Sequence, residues 1–275
     1  MSVLIDVDEL RTLLAEGHSP RLLDVRWALD APNGAPAHRA GHVPGAVYVS
    51  LDDDLAAHGE PTDGRHPLPA RDAFQASARS WGINDGDSVV VYDAGPALAA
   101  ARAWWLLRHA GLTDVRILDG GLAAWVAAGA PVESGPVVPE LGNVTLSWGH
   151  MPVIDADAAA GFPAHGALLD ARAGERYRGE VEPIDPQAGH IPGALSMPTA
   201  GNVGPDGRFL PPTELAARFA GLGESRVAVY CGSGVTAAHE IAALEVAGRE
   251  AALYPGSWSQ WSSQGRPVAT GAGAV

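Results

Sequence analysis

Lysine is absent from this 275-residue sequence, and all 18 basic residues are arginine. Without lysine, the chain can form no Schiff base with a carbonyl substrate and has no lysine-dependent phosphate loop. Basic charge is also scarce, since 32 acidic residues give a formal net charge of −14 at pH 7. A nucleic-acid groove and an anionic membrane surface both require clusters of basic side chains. We therefore expect neither nucleic acid nor a membrane among the partners.

Cysteine and long apolar runs are also rare. Cys231 is the only cysteine, so no intrachain disulfide can form. The first ten residues carry two Asp and one Glu, unlike the basic start and apolar core of a secretory signal. The most apolar stretch, around Trp104, is interrupted by Asp93, Arg102 and Arg108 and falls short of the ~18 residues that span a bilayer. These features predict a cytoplasmic protein.

An internal repeat organises the chain. Five short segments of the first half return in the same order in the second half: 22–26 as 168–172, 41–46 as 189–194, 89–93 as 227–231, 118–125 as 254–261, and 130–132 as 266–268. Between the copies, residues 133–139 are rich in Pro, Gly and Ser, which suits a linker. We expect two domains, residues 1–134 and 151–275, joined by a linker at 135–150.

Each copy alternates short β-branched runs with longer amphipathic stretches. In the first copy this pattern predicts strands at 21–25, 47–49, 89–92 and 115–118, and helices at 6–16, 72–81, 97–110 and 122–128. Such alternation predicts an α/β fold, with a mostly parallel sheet in each domain and helices on both of its faces. Functional groups are then expected on loops at the carboxyl ends of strands.

Cys231 stands at such a strand end. It follows the apolar run 227–230, precedes a helix-like stretch at 237–247, and opens the loop Cys231-Gly232-Ser233-Gly234-Val235-Thr236. Loop N–H groups and the positive end of a helix dipole favour negative charge on sulfur or on a bound anion. A cysteine that simply packs in the core is the alternative. The glycine-rich loop favours the interpretation of Cys231 as a nucleophile.

Differences between the copies separate candidate chemistry from fold. Both copies keep an Asp-x-Arg pair, a histidine in a Gly-His-x-Pro-Gly turn and a tryptophan: Asp24, Arg26, His42 and Trp125, then Asp170, Arg172, His190 and Trp261. We interpret these as ion pairs, hydrogen-bonded turns and core residues rather than catalytic or metal-binding groups. In contrast, Asp93 replaces Cys231 in the first copy, and Arg176 has no clear counterpart there. Arg176 is therefore a candidate anion-binding residue.

These motifs resemble those of the tandem-domain rhodanese sulfurtransferases, which comprise thiosulfate and 3-mercaptopyruvate sulfurtransferases. The resemblance spans nearly the whole chain and rests on the two Gly-His-x-Pro-Gly-Ala turns, on segment 118–125 and on the Cys231 loop. It implies an inactive first domain, in which Asp93 replaces the cysteine, and a catalytic second domain with a six-residue loop.

The resemblance also implies a mechanism. Cys231 would take sulfur from a small anionic donor as a persulfide and pass it to cyanide, a small thiol or a thioredoxin-like protein, without a metal or organic cofactor. Arg176 would bind the anionic end of the donor. The backbone N–H groups of the loop would stabilise the negative charge of the persulfide; their residues are Gly232, Ser233, Gly234, Val235 and Thr236.

Loop chemistry guides the choice of donor. Thiosulfate enzymes of this family usually carry basic residues just after the cysteine, whereas here those places hold Gly232 and Ser233, the pattern associated with mercaptopyruvate enzymes. The resemblance to these enzymes also implies an Asp, His and Ser arrangement, which matches Asp52, His66 and Ser233. We therefore expect 3-mercaptopyruvate as donor and keep thiosulfate as the alternative.

One departure from the family pattern bears on that expectation. Mercaptopyruvate enzymes commonly present a second arginine before the Gly-His turn, but this chain has Ile184 there. Either another arginine such as Arg178 takes its place, or carboxylate binding is weaker and the donor preference is broader or different. Two further functions are less favoured. A cysteine phosphatase needs an arginine six residues after the cysteine, where this chain has Ala237. A non-catalytic binding module would not need Cys231.

Overall fold

The computed structural model describes residues 2–272, which divide into two compact units. The first unit comprises residues 2–57, 69–151 and 204–209, and the second comprises 58–68, 152–203 and 210–272. Segment 58–68 thus packs with the second unit although it lies in the first half of the chain. Residues of the predicted linker pack on the first unit, where Gly142 and Val144 donate backbone hydrogen bonds to Arg79 and Ile83.

The first unit contains a five-stranded parallel sheet with strand order β1-β5-β4-β2-β3. Its strands are β1 (Leu4–Ile5), β2 (Arg21–Asp24), β3 (Val47–Tyr48), β4 (Val89–Tyr92) and β5 (Val115–Leu118). Its helices are α1 (Val7–Ala15), α2 (Ala35–Ala40), α3 (Leu51–Asp54), α4 (Arg71–Ser80), α5 (Ala100–His109) and α6 (Gly121–Ala127). All four residues of β4 are buried, as expected for a central parallel strand that is covered on both faces.

The second unit repeats this plan with a four-stranded parallel sheet of order β7-β6-β8-β9. Its strands are β6 (Ala167–Asp170), β7 (Leu195–Ser196), β8 (Val227–Tyr230) and β9 (Ala252–Leu253). Its helices are α7 (Ala156–Gly161), α8 (Gly174–Arg178), α9 (Pro212–Arg218), α10 (Thr236–Val246) and α11 (Ser257–Ser263), and a 3₁₀ turn at Pro61–Asp63 packs on α11. A single parallel bridge between Val153 and Leu253 stands where the first unit has β1.

The predicted α/β fold with parallel sheets is confirmed. Each predicted strand and helix of the first copy is present within a few residues, whereas β1, α2 and α3 were not predicted because they are too short to show a periodic pattern. Helix α5 begins at Ala100 rather than Ala97, because the Asp93 side chain accepts the N–H groups of Ala97, Ala99 and Ala100. No helix within residues 2–272 is long and apolar enough to cross a membrane.

The residues that both copies share serve the fold. Arg26 and Arg172 pair with Asp24 and Asp170 at 2.5 and 2.6 Å, and all four side chains are buried. His42 and His190 each donate Nδ1–H to a backbone carbonyl at 2.8 Å. Trp125 and Trp261 are buried in the two cores. The interpretation of these groups as ion pairs, turn residues and core is therefore confirmed.

Candidate active site

The Cys231 loop joins β8 to α10. Cys231 is buried, with 1% of its surface exposed, and its Sγ atom accepts the N–H of Gly234 at 3.1 Å. The N–H of Cys231 donates to Ser257 Oγ at 3.1 Å. The 11-residue helix α10 begins at Thr236, so its positive N-terminal end follows Cys231 within five residues.

Helix α11 holds the Cys231 loop in place through two backbone hydrogen bonds. Trp258 and Ser259 donate backbone N–H groups to the carbonyl oxygens of Cys231 and Gly232, both at 2.9 Å. Gly234 has a φ of +80°, and a Cβ there would lie 2.5 Å from the carbonyl oxygen of Pro255. Only glycine therefore fits at this position without displacing the backbone.

Ser257 adopts a left-handed conformation, with φ +53°, where the first copy has Gly121 with φ +57°. A non-glycine residue in this region is strained. The hydroxyl of Ser257 donates to the carbonyl of Tyr254 at 2.9 Å and accepts the N–H of Cys231. These two hydrogen bonds offset the strain and tie α11 to Cys231.

The matching loop of the first unit shows what such a turn can hold. The Asp93 carboxylate accepts four backbone N–H groups, from Gly95, Ala97, Ala99 and Ala100, at 3.0 to 3.3 Å. Burial nevertheless raises the pKa of Asp93, and these four hydrogen bonds counteract the rise. The loop of the first unit is thus an anion cradle that is filled by its own side chain.

Two arginines reach the Cys231 loop. A Cβ atom placed on Gly232 would lie 3.1 Å from Nη2 of Arg65 and 3.6 Å from Nη1 of Arg176. The two guanidinium groups therefore converge beside the residue that follows Cys231. Arg176 is a predicted site residue, whereas Arg65 was missed.

Acidic side chains hold both arginines. Glu182 accepts Nε and Nη2 of Arg176 at 3.2 and 2.6 Å, and Asp185 accepts Nη2 of Arg176 at 3.2 Å. The other oxygen of Asp185 forms a short hydrogen bond with Nη1 of Arg65. These bonds use the arginine nitrogens that point away from Gly232. Arg178 pairs instead with Glu180, and its side chain is exposed.

His66 and Ser233 lie in hydrogen-bond contact, with Nδ1 2.8 Å from Oγ. Arg65 and His66 belong to segment 58–68, which is anchored in the second unit by the hydrogen bond from the N–H of Arg65 to Ser259 Oγ at 3.1 Å. Asp52 lies in the first turn of α3 in the first unit. A catalytic role of Asp52 together with His66 and Ser233 stays a prediction.

The remaining loop residues lie at the start of α10. Val235 is the N-cap residue of this helix, Thr236 is its first residue, and the loop from Cys231 to Val235 is buried. That the loop N–H groups donate hydrogen bonds to a persulfide on Cys231 stays a prediction. Within residues 2–272, no group of three or more His, Cys, Asp or Glu side chains is arranged to hold a metal ion.

Comparison with known proteins assigns the family. The family model for the rhodanese-like domain matches residues 6–128 and 155–264. A Mycobacterium tuberculosis H37Rv protein, provisionally named thiosulfate sulfurtransferase SseB, is 49% identical over 278 residues, which cover 98% of this chain and 97% of that protein. A Pseudomonas aeruginosa protein, provisionally named 3-mercaptopyruvate sulfurtransferase, is 47% identical over 262 residues, with 91% and 92% covered.

Solved structures agree with this assignment. The crystal structure of SseA from Escherichia coli, described among 3-mercaptopyruvate sulfotransferases, superimposes with a TM-score of 0.81 at 32% identity and covers 94% of this chain and 99% of its own. Both domain matches and the named relatives extend along nearly the whole sequence. The chain therefore belongs to the rhodanese family and is a sulfurtransferase enzyme with two tandem rhodanese-like domains.

Proposed function

We propose that this enzyme moves sulfur from 3-mercaptopyruvate through a persulfide on Cys231 to cyanide or a thiol acceptor. The observation that carries the proposal is the convergence of Arg65 and Arg176 beside Gly232, next to the nucleophile. Planar guanidinium groups bind a carboxylate well, and 3-mercaptopyruvate has a carboxylate a few bonds from its sulfur. Arg65 supplies the second cation that Ile184 does not.

The chemistry balances without a cofactor. The Cys231 thiolate attacks the donor sulfur, so that the new S–S bond forms as the C–S bond of the donor breaks. The electron pair of the C–S bond goes to the former CH₂ carbon as an enolate, which takes up the proton of the donor thiol and leaves as pyruvate. Cyanide or a thiolate then attacks the outer sulfur, and the S–S bond breaks to return the Cys231 thiolate.

Ser233 and His66 are suited to the proton and charge changes of the first step. The Ser233 hydroxyl lies two residues after Cys231 and contacts His66 Nδ1 at 2.8 Å. A neutral imidazole with its proton on Nδ1 can donate a hydrogen bond to Ser233 Oγ, which leaves the single hydroxyl proton of Ser233 to be donated to the developing enolate oxygen. The loop N–H groups, including that of Gly234 on Sγ, would stabilise the persulfide.

Thiosulfate is the second candidate donor, and the name of the Mycobacterium tuberculosis relative favours it. The same persulfide would form, with sulfite as leaving group. The loop itself argues for mercaptopyruvate, because residues 232–236 contain no basic side chain to meet a dianion. A phosphatase reaction is disfavoured, because Ala237 stands where a phosphate-binding arginine is needed.

The first test measures thiocyanate formed from cyanide with each donor separately, as kcat/KM. We expect kcat/KM to be higher for 3-mercaptopyruvate than for thiosulfate. In Cys231→Ser, turnover of both donors should be abolished. Intact-mass analysis after exposure to donor without acceptor should show one added sulfur atom on the native chain and none on the variant. Turnover of neither donor by the native chain would contradict the proposal, and turnover of thiosulfate alone would reassign the donor.

A further inference from the structure

We propose that Asp185 sets the donor preference of this site by cancelling one of the two positive charges that face the donor, which selects a monoanion over a dianion. The inference deepens the proposed function and depends on it. It assigns a specificity role to a buried carboxylate that contacts both donor-binding arginines.

Asp185 is placed to act on both cations at once. Its side chain is 3% exposed, with one oxygen on Arg65 and the other on Arg176. Its backbone N–H donates to Glu182 at 3.1 Å, which fixes the turn that carries it. A carboxylate held in this way keeps its charge at a constant distance from whatever anion the two guanidinium groups bind.

The charges of the surrounding group sum to zero. Three arginines face three carboxylates in one connected network: Arg65, Arg172 and Arg176 with Asp170, Glu182 and Asp185. The pair of Arg172 and Asp170 belongs to the core of the unit. Glu182 joins that pair to Arg176. Of the three carboxylates, Asp185 alone contacts only the two arginines beside Gly232.

Because this network of three arginines and three carboxylates has no net charge, it favours a donor with one negative charge over a donor with two. The guanidinium N–H groups can still hydrogen-bond one carboxylate, so a monoanionic donor retains directional binding. The second charge of thiosulfate meets no net positive potential from this network and no basic residue in the loop. Removal of the Asp185 charge would leave a net charge of +1, which stabilises a dianion more than a monoanion.

The test is the ratio of kcat/KM for thiosulfate to kcat/KM for 3-mercaptopyruvate. Asp185→Asn is expected to raise this ratio by about tenfold, with a smaller rise at high salt because the effect is electrostatic. Asp185→Glu keeps the charge but alters the geometry, so its ratio should stay at the native value even if both rates fall. Glu180→Gln removes an exposed carboxylate from the same segment and serves as the matched control.

The outcomes separate this inference from the proposed function. If the native chain uses 3-mercaptopyruvate and Asp185→Asn leaves the ratio unchanged while remaining folded by circular dichroism, Asp185 does not set specificity. An equal rise in Asp185→Glu would assign it a geometric rather than an electrostatic role and overturn the inference. A native preference for thiosulfate would also overturn it, whereas turnover of neither donor would refute the proposed function itself.

Discussion

Nδ1 of His66 lies 2.8 Å from the hydroxyl oxygen of Ser233, although 167 residues separate the two in sequence. Segment 58–68 brings His66 to the second unit, where Ser233 lies two residues after the only cysteine. A histidine and a serine in contact beside a nucleophile can move a proton during the reaction. The packing of segment 58–68 on the second unit thus brings together two of the residues that we propose for catalysis.

Substitution of either partner should slow the mercaptopyruvate reaction. We expect His66→Ala and Ser233→Ala each to lower kcat by about 10²- to 10⁴-fold, and the double variant to be little worse than either one, because the pair acts as a unit. Steady-state kinetics with cyanide as acceptor gives kcat for the native chain, the two single variants and the double variant. His58→Ala, which changes an exposed histidine in the same segment, should leave kcat unchanged. Fully additive losses in the double variant would show that the two act separately.

We expect Asp93 to stabilise the first unit without affecting catalysis. Replacement by alanine leaves four backbone N–H groups without the carboxylate that they share. We expect the free energy of unfolding to fall by roughly 3 kcal/mol, as measured by urea denaturation, while kcat/KM of the folded variant is retained. Asp30→Ala, at an exposed position, is the control. Unchanged stability in Asp93→Ala would show that the loop around Asp93 does not need a negative charge to hold its backbone N–H groups.

Much of the fold could be predicted from the sequence because a duplication provides its own comparison. The strand runs at 89–92 and 227–230 and the glycine-rich turns recur in order, so parallel sheets in two copies followed directly. Strand β1 could not be predicted this way, because two residues show no alternation, whereas the two-residue β3 was predicted from the longer run 47–49. No local pattern predicts the packing of segment 58–68 on the second unit; only the resemblance implied it, by grouping His66 with Ser233.

The site was predicted unevenly for the same reason. Cys231 and Arg176 could be proposed from the sequence, because the first copy has Asp93 in place of Cys231 and no clear counterpart of Arg176. Arg65 was missed because its role depends on Asp185, 120 residues away, which forms an ion pair with it. The only local signal was its position immediately before His66. Long-range pairs of this kind become visible only when the chain is folded.

Glu240 should make stability fall as the pH rises. It is fully buried on α10, with one oxygen bonded to Asn202 at 2.6 Å and the other without a hydrogen-bond partner among residues 2–272. Burial raises the pKa of Glu240 from 4.5 to about 7. Between those two values the unfolded chain has lost a proton that the native chain still holds, so the free energy of unfolding decreases with pH.

Glu240→Gln removes this titration and tests it. The variant should gain stability relative to the native chain as the pH rises from 4.5, levelling off above pH 7 at a gain of roughly 3 kcal/mol. Urea denaturation at a series of pH values gives the difference curve. Glu224→Gln, at an exposed position, should give a flat one. A flat curve for Glu240→Gln as well would contradict the raised pKa.

Two glycines of the Cys231 loop should respond differently to alanine. At Gly234, a positive φ and a Cβ 2.5 Å from the Pro255 carbonyl force the backbone to move, and a misplaced nucleophile costs about 10²-fold in rate. At Gly232, the added Cβ meets only the flexible ends of Arg65 and Arg176, so we expect a several-fold rise in KM for the donor with kcat retained. Gly161→Ala, where a Cβ meets nothing within 4 Å, is the control. If Gly232→Ala lowered kcat and left KM unchanged, the two arginines would not be the groups that hold the donor.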